Sequence, residues 1–311
     1  MLLVLASACG DTEIIEVPGE TVVVEKEVVK EVQVPGETVV VEKEVIKEVE
    51  VVKEVEAESD RYVSNVWGDL VDTPQYGGSI VIAIPDEFPS TDPAGECWGG
   101  CRMMAGTTFE KLGTTDWAVP RDEFDFTAGF VNMDFVTGAL AESWEQSDLL
   151  TYTFNIRKGI NWQDKAPLNG RELTAKDVEY SWHRIMGLGS GFSEPDPDIW
   201  VHLPIASVEA TDDWTVEVKA SEFSFDTLQN LLVSTQTFFS IHVTPEQNGD
   251  TSDWENHVGT GAYLLTDYKD GDSMTFSKNP NYWGYDPLHP DNRLPYADEF
   301  KVIVLPEEAT Q

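Results

Sequence analysis

Apolar and polar residues alternate along this chain with two periods, and these periods predict where strands and helices lie. Residues 151–156 alternate with period two, so that Tyr152, Phe154 and Ile156 share one face of a predicted strand. Residues 77–84 form a β-branched run bounded by glycine and proline, which predicts a buried strand.

A helical period begins near Thr174, where apolar residues recur every three or four positions. Trp182 and Ile185 lie on the apolar side of a helix predicted over residues 174–186. Thr174 is a suitable N-cap, and Asp177 stands three residues on, at the spacing of a capping box. The start of this helix is therefore predicted more sharply than the starts of the other elements.

Further strands are predicted in the second half of the chain. Residues 205–210 and 215–218 form a predicted hairpin, and residues 273–277 and 300–305 are single predicted strands. Strands and helices are intermingled without strict alternation. The pattern therefore predicts a mixed α/β domain and selects no particular topology.

The first 60 residues differ in composition from the rest of the chain. Residues 1–9 are an apolar run in which small residues precede Cys9, as at the end of a bacterial lipoprotein signal peptide whose cysteine is lipidated. Residues 17–28 recur as residues 34–45 within a Val, Glu and Lys-rich segment, residues 10–60, that contains no aromatic residue. We expect this segment to be a stalk that lifts the following domain off a membrane, and a leader with no role is the alternative.

Composition and charge exclude two classes of protein. The chain has 311 residues, is 41% hydrophobic and contains ten Trp, which is typical of a globular protein and not of a disordered one. Its formal net charge is −37, and no basic patch interrupts the acidic surface. Phosphate backbones would be repelled, so nucleic acid is not an expected partner.

No motif in the sequence predicts catalysis, a cofactor or a metal site. Residues 187–191, Gly-Leu-Gly-Ser-Gly, look like a phosphate loop or a nucleophile elbow, but both motifs need a preceding strand and these residues follow a predicted helix. We expect them to end that helix instead. The five histidines are scattered, and residues 194–198 are only a poor match to a calcium loop.

Two further cysteines stand close together in the sequence Cys-Trp-Gly-Gly-Cys. Cys97 and Cys101 are expected to form a local disulfide outside the cytoplasm. Two free thiols are one alternative. Half of a zinc site is another, although partner ligands at matching spacing are not visible.

Several motifs follow one another in order over residues 76–305. They are Gly-Gly at 77–78, Ser-Thr-Asp-Pro at 90–93, Leu-Ala-Glu-Ser-Trp-Glu at 140–145, Tyr-Thr-Phe-Asn-Ile-Arg-Lys-Gly at 152–159, Gly-Thr-Gly-Ala-Tyr at 259–263 and Asn-Pro-Asn-Tyr-Trp-Gly at 279–284. In this order they resemble the signature of the family 5 solute-binding proteins, which include peptide- and nickel-binding members. Three departures affect loops: residues 163–165 replace His-Asp-Gly, residues 169–171 are an insertion, and Ala262 stands where proline is frequent.

Each motif also has a structural interpretation. Trp144, Trp162 and Trp182 are expected to be core aromatics and not ligand platforms. Gly259 and Gly261 are expected to serve a tight turn.

The resemblance implies a periplasmic-binding-protein fold of type II, which closes on its solute about a hinge. It implies a truncated signal peptide at residues 1–9, the stalk at 10–60, the first lobe with an accessory subdomain at 61–305, and the start of a hinge to a missing second lobe at 306–311. It also implies a function. The protein is expected to be a monomeric lipoprotein and not an enzyme, either on the outer face of the cytoplasmic membrane or in the periplasm. There it would capture peptides or a related solute for the permease of an ABC importer.

The resemblance does not select the solute, and peptides, nickel chelates and oligosaccharides all stay open. Ligand contacts are expected mainly in the loop after the first strand and in the following turn, because such loops face a cleft. The candidate residues are Phe88, Ser90, Asp92, Trp98, Thr107, Thr108 and Phe239. A secreted carbohydrate-active hydrolase is the alternative function, and a cell-surface scaffold that acts through its repeats is a third.

Overall fold

A computed structural model of the chain describes residues 16–17, 20–21, 61–85, 90–94, 100–126, 131–196, 203–233, 239–247, 251 and 253–305. Most of the predicted stalk lies outside these ranges, as do the predicted lipidation site Cys9, the predicted contacts Phe88 and Trp98, Cys97 of the predicted disulfide, and residues 306–311 of the predicted hinge. The side chain of Cys101 is also outside the description. Across the described ranges, no helix is both long and apolar enough to cross a membrane.

The chain divides into two compact units, Met1–Thr73 and Pro74–Gln311. Among the described residues of the first unit, two short antiparallel hairpins are formed, by β1 (Glu16–Val17) with β2 (Glu20–Thr21) and by β3 (Tyr62–Ser64) with β4 (Leu70–Asp72). Asn65 closes the second hairpin, because its side-chain oxygen accepts hydrogen bonds from the backbone N–H groups of Trp67 and Asp69, both at 3.0 Å. The predicted start of the lobe at residue 61 stays a prediction.

The second unit contains two larger sheets and three α-helices within its described residues. In chain order its elements are β5 (Ser79–Ile84), α1 (Gly100–Thr108), β6 (Gly113–Thr115), β7 (Val136–Gly138), β8 (Ala141–Gln146), β9 (Thr151–Ile156), α2 (Ala175–Met186), β10 (Ile205–Asp212), β11 (Thr215–Ala220), α3 (Thr227–Val233), β12 (Tyr263–Lys269), β13 (Ser273–Lys278) and β14 (Glu299–Val304). This mixture of strands and helices confirms the predicted mixed α/β class.

The two larger sheets differ in their pairing. The first has the order β10-β11-β9-β8 and is antiparallel throughout. The second has the order β12-β13-β14-β5, in which β5 pairs with β14 in parallel and the other neighbours are antiparallel. The short strands β6 and β7 form a separate antiparallel pair.

The core of the first sheet lies between the sheet and α2. Phe154 of β9 and Trp182 of α2 are fully buried and meet edge to face, with ring centroids 5.9 Å apart. Trp162 is buried beside them, and Trp144 packs against the same core while partly exposed. These positions confirm the prediction that the three Trp residues belong to the core.

The second sheet has a smaller core of its own. Met274 and Phe276 of β13 are fully buried, as is Val302 of β14. Met104 of α1 completes this cluster, so the helix is anchored by an apolar side chain against the second sheet.

β5 is a strand, as predicted, but the prediction that it is buried was wrong. It lies at an end of the second sheet, and Ile80 and Val81 expose 48% and 57% of their surface. Ile84 is the buried residue of this strand. β-branched residues occur in edge strands as well as in central strands. The composition of residues 77–84 therefore predicted a strand but could not show whether that strand is buried.

α2 begins and ends where the sequence predicted. The side chain of Asp177 accepts a hydrogen bond from the backbone N–H of Thr174 at 2.9 Å, and Gly187 ends the helix with φ of 68°. The insertion at residues 169–171 strengthens this start, because Arg171 donates two hydrogen bonds to Asp177, at 2.7 and 2.9 Å, and further bonds to Glu246. The glycine loop therefore terminates a helix, as expected.

Candidate functional site

The second unit contains a cavity of about 600 Å³, which is a size suited to a small ligand. Its walls come from the end of α1 and the segment after it, from β6 and β7, from the Gly-Thr-Gly-Ala-Tyr motif, and from the Asn-Pro-Asn-Tyr-Trp-Gly motif with the turn that follows. Two of the motifs that carry the family resemblance therefore border one cavity.

The glycines of the first of these motifs allow two backbone segments to touch. A Cβ atom on Gly259 would lie 1.9 Å from the carbonyl oxygen of Thr108, and one on Gly261 would lie 2.6 Å from that of Thr107. The N–H of Gly261 also donates to the carbonyl of Thr108 at 2.8 Å. These glycines therefore permit close packing against the end of α1, and their predicted service in a tight turn stays a prediction.

Gln163 holds the same motif from the other side. Its backbone N–H donates to the carbonyl of Gly259 at 2.8 Å, and its side-chain amide donates to that of Tyr263 at 2.7 Å. Gln163 is almost fully buried, which strengthens bonds that water would otherwise compete for. The departure from the family pattern at this position thus forms a cross-link under the cavity wall.

Glu110 is the central acidic group of the cavity. Its two carboxylate oxygens accept hydrogen bonds from the Tyr282 hydroxyl at 3.0 Å and from Trp283 Nε1 at 2.9 Å. Burial raises the pKa of Glu110 to about 7, and these two donors together with the charge of Arg157 oppose the rise. Burial and the neighbouring carboxyl group also raise the pKa of Tyr282.

A local turn presents these two donors. The side-chain oxygen of Asn279 accepts from the N–H of Asn281 at 3.0 Å, and its side-chain nitrogen donates to the carbonyl of Gly261 at 3.0 Å. Asn279 therefore both shapes the turn that precedes Tyr282 and Trp283 and ties it to the glycine motif. Arg157 lies over the Trp283 ring, 5.2 Å from its centroid, and fixes the orientation of the ring.

Lys111 lines the cavity next to Glu110 in the chain. Its carbonyl accepts from the N–H of Leu140 at 3.2 Å, so the backbone here is held against the segment that follows β7. Burial lowers the pKa of Lys111 to about 8. Lys111 therefore lies next to the Glu110 carboxyl group, and both oxygens of that group already accept hydrogen bonds from Tyr282 and Trp283.

An aromatic cluster borders the cavity at Trp117. The ring of Trp117 stacks on Phe126 with centroids 4.9 Å apart, and the Arg121 guanidinium lies 4.2 Å from the Phe126 centroid. Trp117 itself is 49% exposed, so one part of its indole is available to a ligand. The combination of exposed aromatic surface with a few polar groups is typical of small-molecule sites.

The structure places the predicted contacts Ser90 and Asp92 in a buried ion-pair network. Arg184 of α2 donates to both Asp92 oxygens, at 3.0 and 2.5 Å, and the Ser90 hydroxyl accepts from the Asp92 backbone N–H at 3.0 Å. Hydrogen bonding and charge from Arg184 lower the pKa of Asp92 against the opposing effect of burial. Arg184 also lies 3.0 Å from His242 Nε2. Contact of Asp92 with a ligand stays a prediction, with much of its carboxylate already engaged.

The remaining predicted contacts are divided between the cavity and the core. Thr107 lines the cavity, and its hydroxyl donates to the carbonyl of Met104 at 2.9 Å. Thr108 is fully buried at the end of α1, and Phe239 is a core residue with 1% of its surface exposed. Of the described candidates, the structure therefore brings only Thr107 to the cavity.

The cavity residues that the sequence analysis missed are Glu110, Lys111, Trp117, Tyr282 and Trp283. Tyr282 and Trp283 were visible as part of a family motif, but their partner Glu110 lies more than 170 positions earlier in the chain. The sequence did contain one signal for this part of the site. Two charged residues, Glu110 and Lys111, stand between the apolar residues Phe109 and Leu112.

The acidic side chains and histidines of the described residues do not assemble into a metal site. Within the described ranges, no group of three or more His, Cys, Asp or Glu side chains could hold a metal ion. Three histidines in those ranges are buried, and burial lowers the pKa of His242 to about 4 and that of His257 to about 3. His242 and His257 are therefore buried in their neutral form, as parts of the core.

Known proteins similar to this chain are binding proteins. A di/tripeptide-binding protein of Pseudomonas aeruginosa is 27% identical over 237 residues, which cover 70% of this chain and 43% of that protein. The dipeptide-binding protein DppE of Bacillus subtilis is 31% identical over 171 residues, which cover 49% of this chain and 30% of that protein. The chain thus spans less than half the length of these curated relatives.

Solved structures show the same fold. The periplasmic binding protein DppA of Helicobacter pylori, an ABC-transporter-associated protein in complex with the peptide STSA, matches with a TM-score of 0.57 and 26% identity, over 76% of this chain and 44% of that one. A dipeptide-binding protein from Pseudoalteromonas in complex with Met-Leu matches with a TM-score of 0.57 and 17% identity, over 75% of this chain and 44% of that one, which supports the fold alone. These matches confirm the periplasmic-binding-protein architecture of type II.

The family itself is identified by its own sequence pattern. Residues 136–311, more than half of the chain, match the family described as bacterial extracellular solute-binding proteins, family 5, middle region. The relatives above are named as peptide-binding proteins, which agrees with the expectation of a binding protein and not with the hydrolase alternative. The chain belongs to the family 5 bacterial extracellular solute-binding proteins.

Proposed function

We propose that this chain is the extracytoplasmic solute-capturing component of an ABC importer and that its solute is a short peptide. The observation that carries the proposal is the 600 Å³ cavity, whose wall combines Trp117 and Trp283 with the charged residues Glu110 and Lys111. A peptide has both apolar side chains and charged ends, so it matches a wall of this mixed character. The similar proteins named as dipeptide- and tripeptide-binding support the same solute class.

Capture in this family fold works by closure around the solute, and no covalent step is needed. A solute that contacts the closed form better than the open form shifts the population toward closure. Delivery to a permease then follows from recognition of the closed form. Both steps belong to the proposal.

The domain arrangement is proposed with the function. Residues 1–9 are a lipoprotein signal segment, Cys9 is lipidated, residues 10–60 are a stalk, residues 61–305 are the first lobe, and residues 306–311 lead into a hinge. Incorporation of labelled palmitate into the wild-type chain in a bacterial host, and its loss in Cys9→Ser, tests the anchor. Equal labelling of both proteins would contradict it.

A thermal-shift screen tests the proposed solute. The chain is mixed with tripeptide, oligosaccharide and nickel-chelate panels, and a ligand at 100 times its dissociation constant should stabilise the folded state by about 2.7 kcal/mol. We expect a raised midpoint with the peptides only. A shift with another panel and none with peptides would overturn the peptide assignment.

Two matched tryptophan variants locate the binding. Trp117→Ala removes an exposed ring at the cavity, whereas Trp214→Ala removes a ring that contacts Lys158 and does not line the cavity. We expect peptide affinity to fall about 5- to 30-fold in Trp117→Ala, as for loss of an aromatic contact worth about 1–2 kcal/mol. Affinity should be unchanged in Trp214→Ala, and equal losses in both variants would place the peptide elsewhere.

A further inference from the structure

Lys111 lines the cavity and has no counter-ion within the described part of the chain. None of the ion pairs or side-chain hydrogen bonds found there involves its ammonium group. The chain has 57 acidic and 20 basic residues, yet Lys158, Lys278 and Lys301 form none of these ion pairs either, and Lys111 differs from them in lining the cavity. By comparison, Lys176, Lys219 and Lys269 each lie within 3.6 Å of a carboxylate.

The neighbouring carboxyl group does not fill this role. Both oxygens of Glu110 are engaged by Tyr282 and Trp283 on the other wall of the cavity. Burial raises the pKa of Glu110 to about 7, so part of the population carries no charge at neutral pH. Asp116 also lines the cavity, but its Oδ1 accepts from the N–H of Ala118 at 2.9 Å.

A partly buried ammonium without a partner is disfavoured, because the surrounding protein replaces water that would solvate it. Burial is the one cause of the lowered pKa of Lys111, and no nearby carboxylate opposes it. An incoming anion would relieve this cost and would gain a charge-assisted hydrogen bond. Among the groups of a short peptide, the C-terminal carboxylate is the anion that every sequence carries.

We propose that Lys111 binds the C-terminal carboxylate of the peptide and so fixes the direction in which the peptide lies in the cavity. This inference rests on the proposed function, because it assigns one end of the proposed solute. Trp117 and Trp283 then lie along the walls that receive the side chains.

The test compares free and amidated peptides. A mixed tripeptide library with free C-terminal carboxylates and the same library with C-terminal amides are titrated into the 311-residue chain by calorimetry. We expect the wild type to bind the free acids about 10- to 100-fold more tightly, the range for a charge-assisted hydrogen bond in a partly buried site. Lys111→Gln should bind both libraries equally, at the level that the wild type shows for the amides.

Two further variants separate charge from structure. Lys111→Arg keeps the charge and should keep the preference for acids. In the wild type this preference should weaken as pH rises through about 8, where Lys111 loses its proton, whereas in Lys111→Arg it should not, since arginine stays charged. Lys176→Gln removes a lysine paired with Asp213 on the surface and should behave as wild type.

The outcomes separate the two proposals. Equal binding of acids and amides by the wild type would overturn the assignment of Lys111 and leave the peptide function standing. A preference for acids that persists in Lys111→Gln would do the same. Binding of neither library would overturn the proposed function, and the assignment of Lys111 with it.

Discussion

The Arg184–Asp92 pair should be among the most costly contacts to break in this chain. Both side chains are about 10% exposed, and Arg184 donates to both carboxylate oxygens. Replacing Arg184 by methionine keeps much of the side-chain volume but leaves a buried carboxylate without its main partner. Loss of one member of a buried ion pair costs about 3–5 kcal/mol. For a unit of this size the unfolding midpoint should fall by about 6–20 °C.

The pH dependence provides a second readout. The pKa of Asp92 is lowered in the folded state, so the pair contributes stability above the ordinary aspartate pKa of 3.8. That contribution is lost as pH falls through the lower, folded-state pKa. Consequently Arg184→Met should be most destabilising near neutral pH, and the difference from the wild type should shrink in acid.

Urea denaturation of the wild type and variants between pH 3 and 7 measures both effects. Lys176→Gln, on the same helix, removes an exposed pair with Asp213 and should cost less than about 1 kcal/mol. The double variant Asp92→Asn with Arg184→Met should recover part of the loss, because the buried Asp92 charge is removed together with its partner. A loss below about 1 kcal/mol in Arg184→Met, or a loss that does not depend on pH, would refute the reasoning.

Three other perturbations probe the cavity wall and the core. Gly261→Ala introduces a Cβ within 2.6 Å of the Thr108 carbonyl oxygen. We expect the free energy of unfolding to fall by about 1–3 kcal/mol and peptide binding to weaken. Wild-type stability and binding would contradict the close approach of the two segments. Trp283→Phe removes a donor to Glu110, so the carboxyl pKa should rise further above about 7 in a carbon-13 NMR titration, and an unchanged pKa would show that the bond contributes little. Because the pKa of Glu110 is raised, its contribution to stability is present below 4.5 and lost as pH rises through 7, and Trp283→Phe should enlarge that loss. Phe154→Ala should cost about 3–5 kcal/mol, and a much smaller loss would mean that the core rearranges around the missing ring.

Local signals explain which elements were predictable. α2 was predicted with nearly its observed bounds because Thr174, Asp177 and Gly187 act within a few residues of their own positions. β9 was predicted because alternate burial of Tyr152 and Phe154 follows directly from the period of a strand. Sheet order and strand burial depend on neighbours far along the chain, and these were not predictable from local patterns.

The candidate site shows the same limit. Glu110 meets Tyr282 and Trp283 only because the folded chain brings distant segments together, and no spacing rule connects them. Asp92 was chosen because it lies in a loop after a strand, yet its partner Arg184 stands on a helix 92 positions later. Loop position predicts exposure on average, whereas a buried ion pair depends on one particular partner.

The parallel pairing of β5 with β14 determines when this fold can be completed during synthesis. Ser79 is opposite Glu299, so the two strands are separated by roughly 220 residues. Closing a loop of that length costs about 5 kcal/mol of chain entropy, which the sheet must recover when it forms. At about 5–20 residues per second, β5 leaves the ribosome roughly 10–40 seconds before its partner is made. During that interval Ile80, Ile82 and Ile84 have no sheet to join, and chaperones have their longest opportunity to bind this strand.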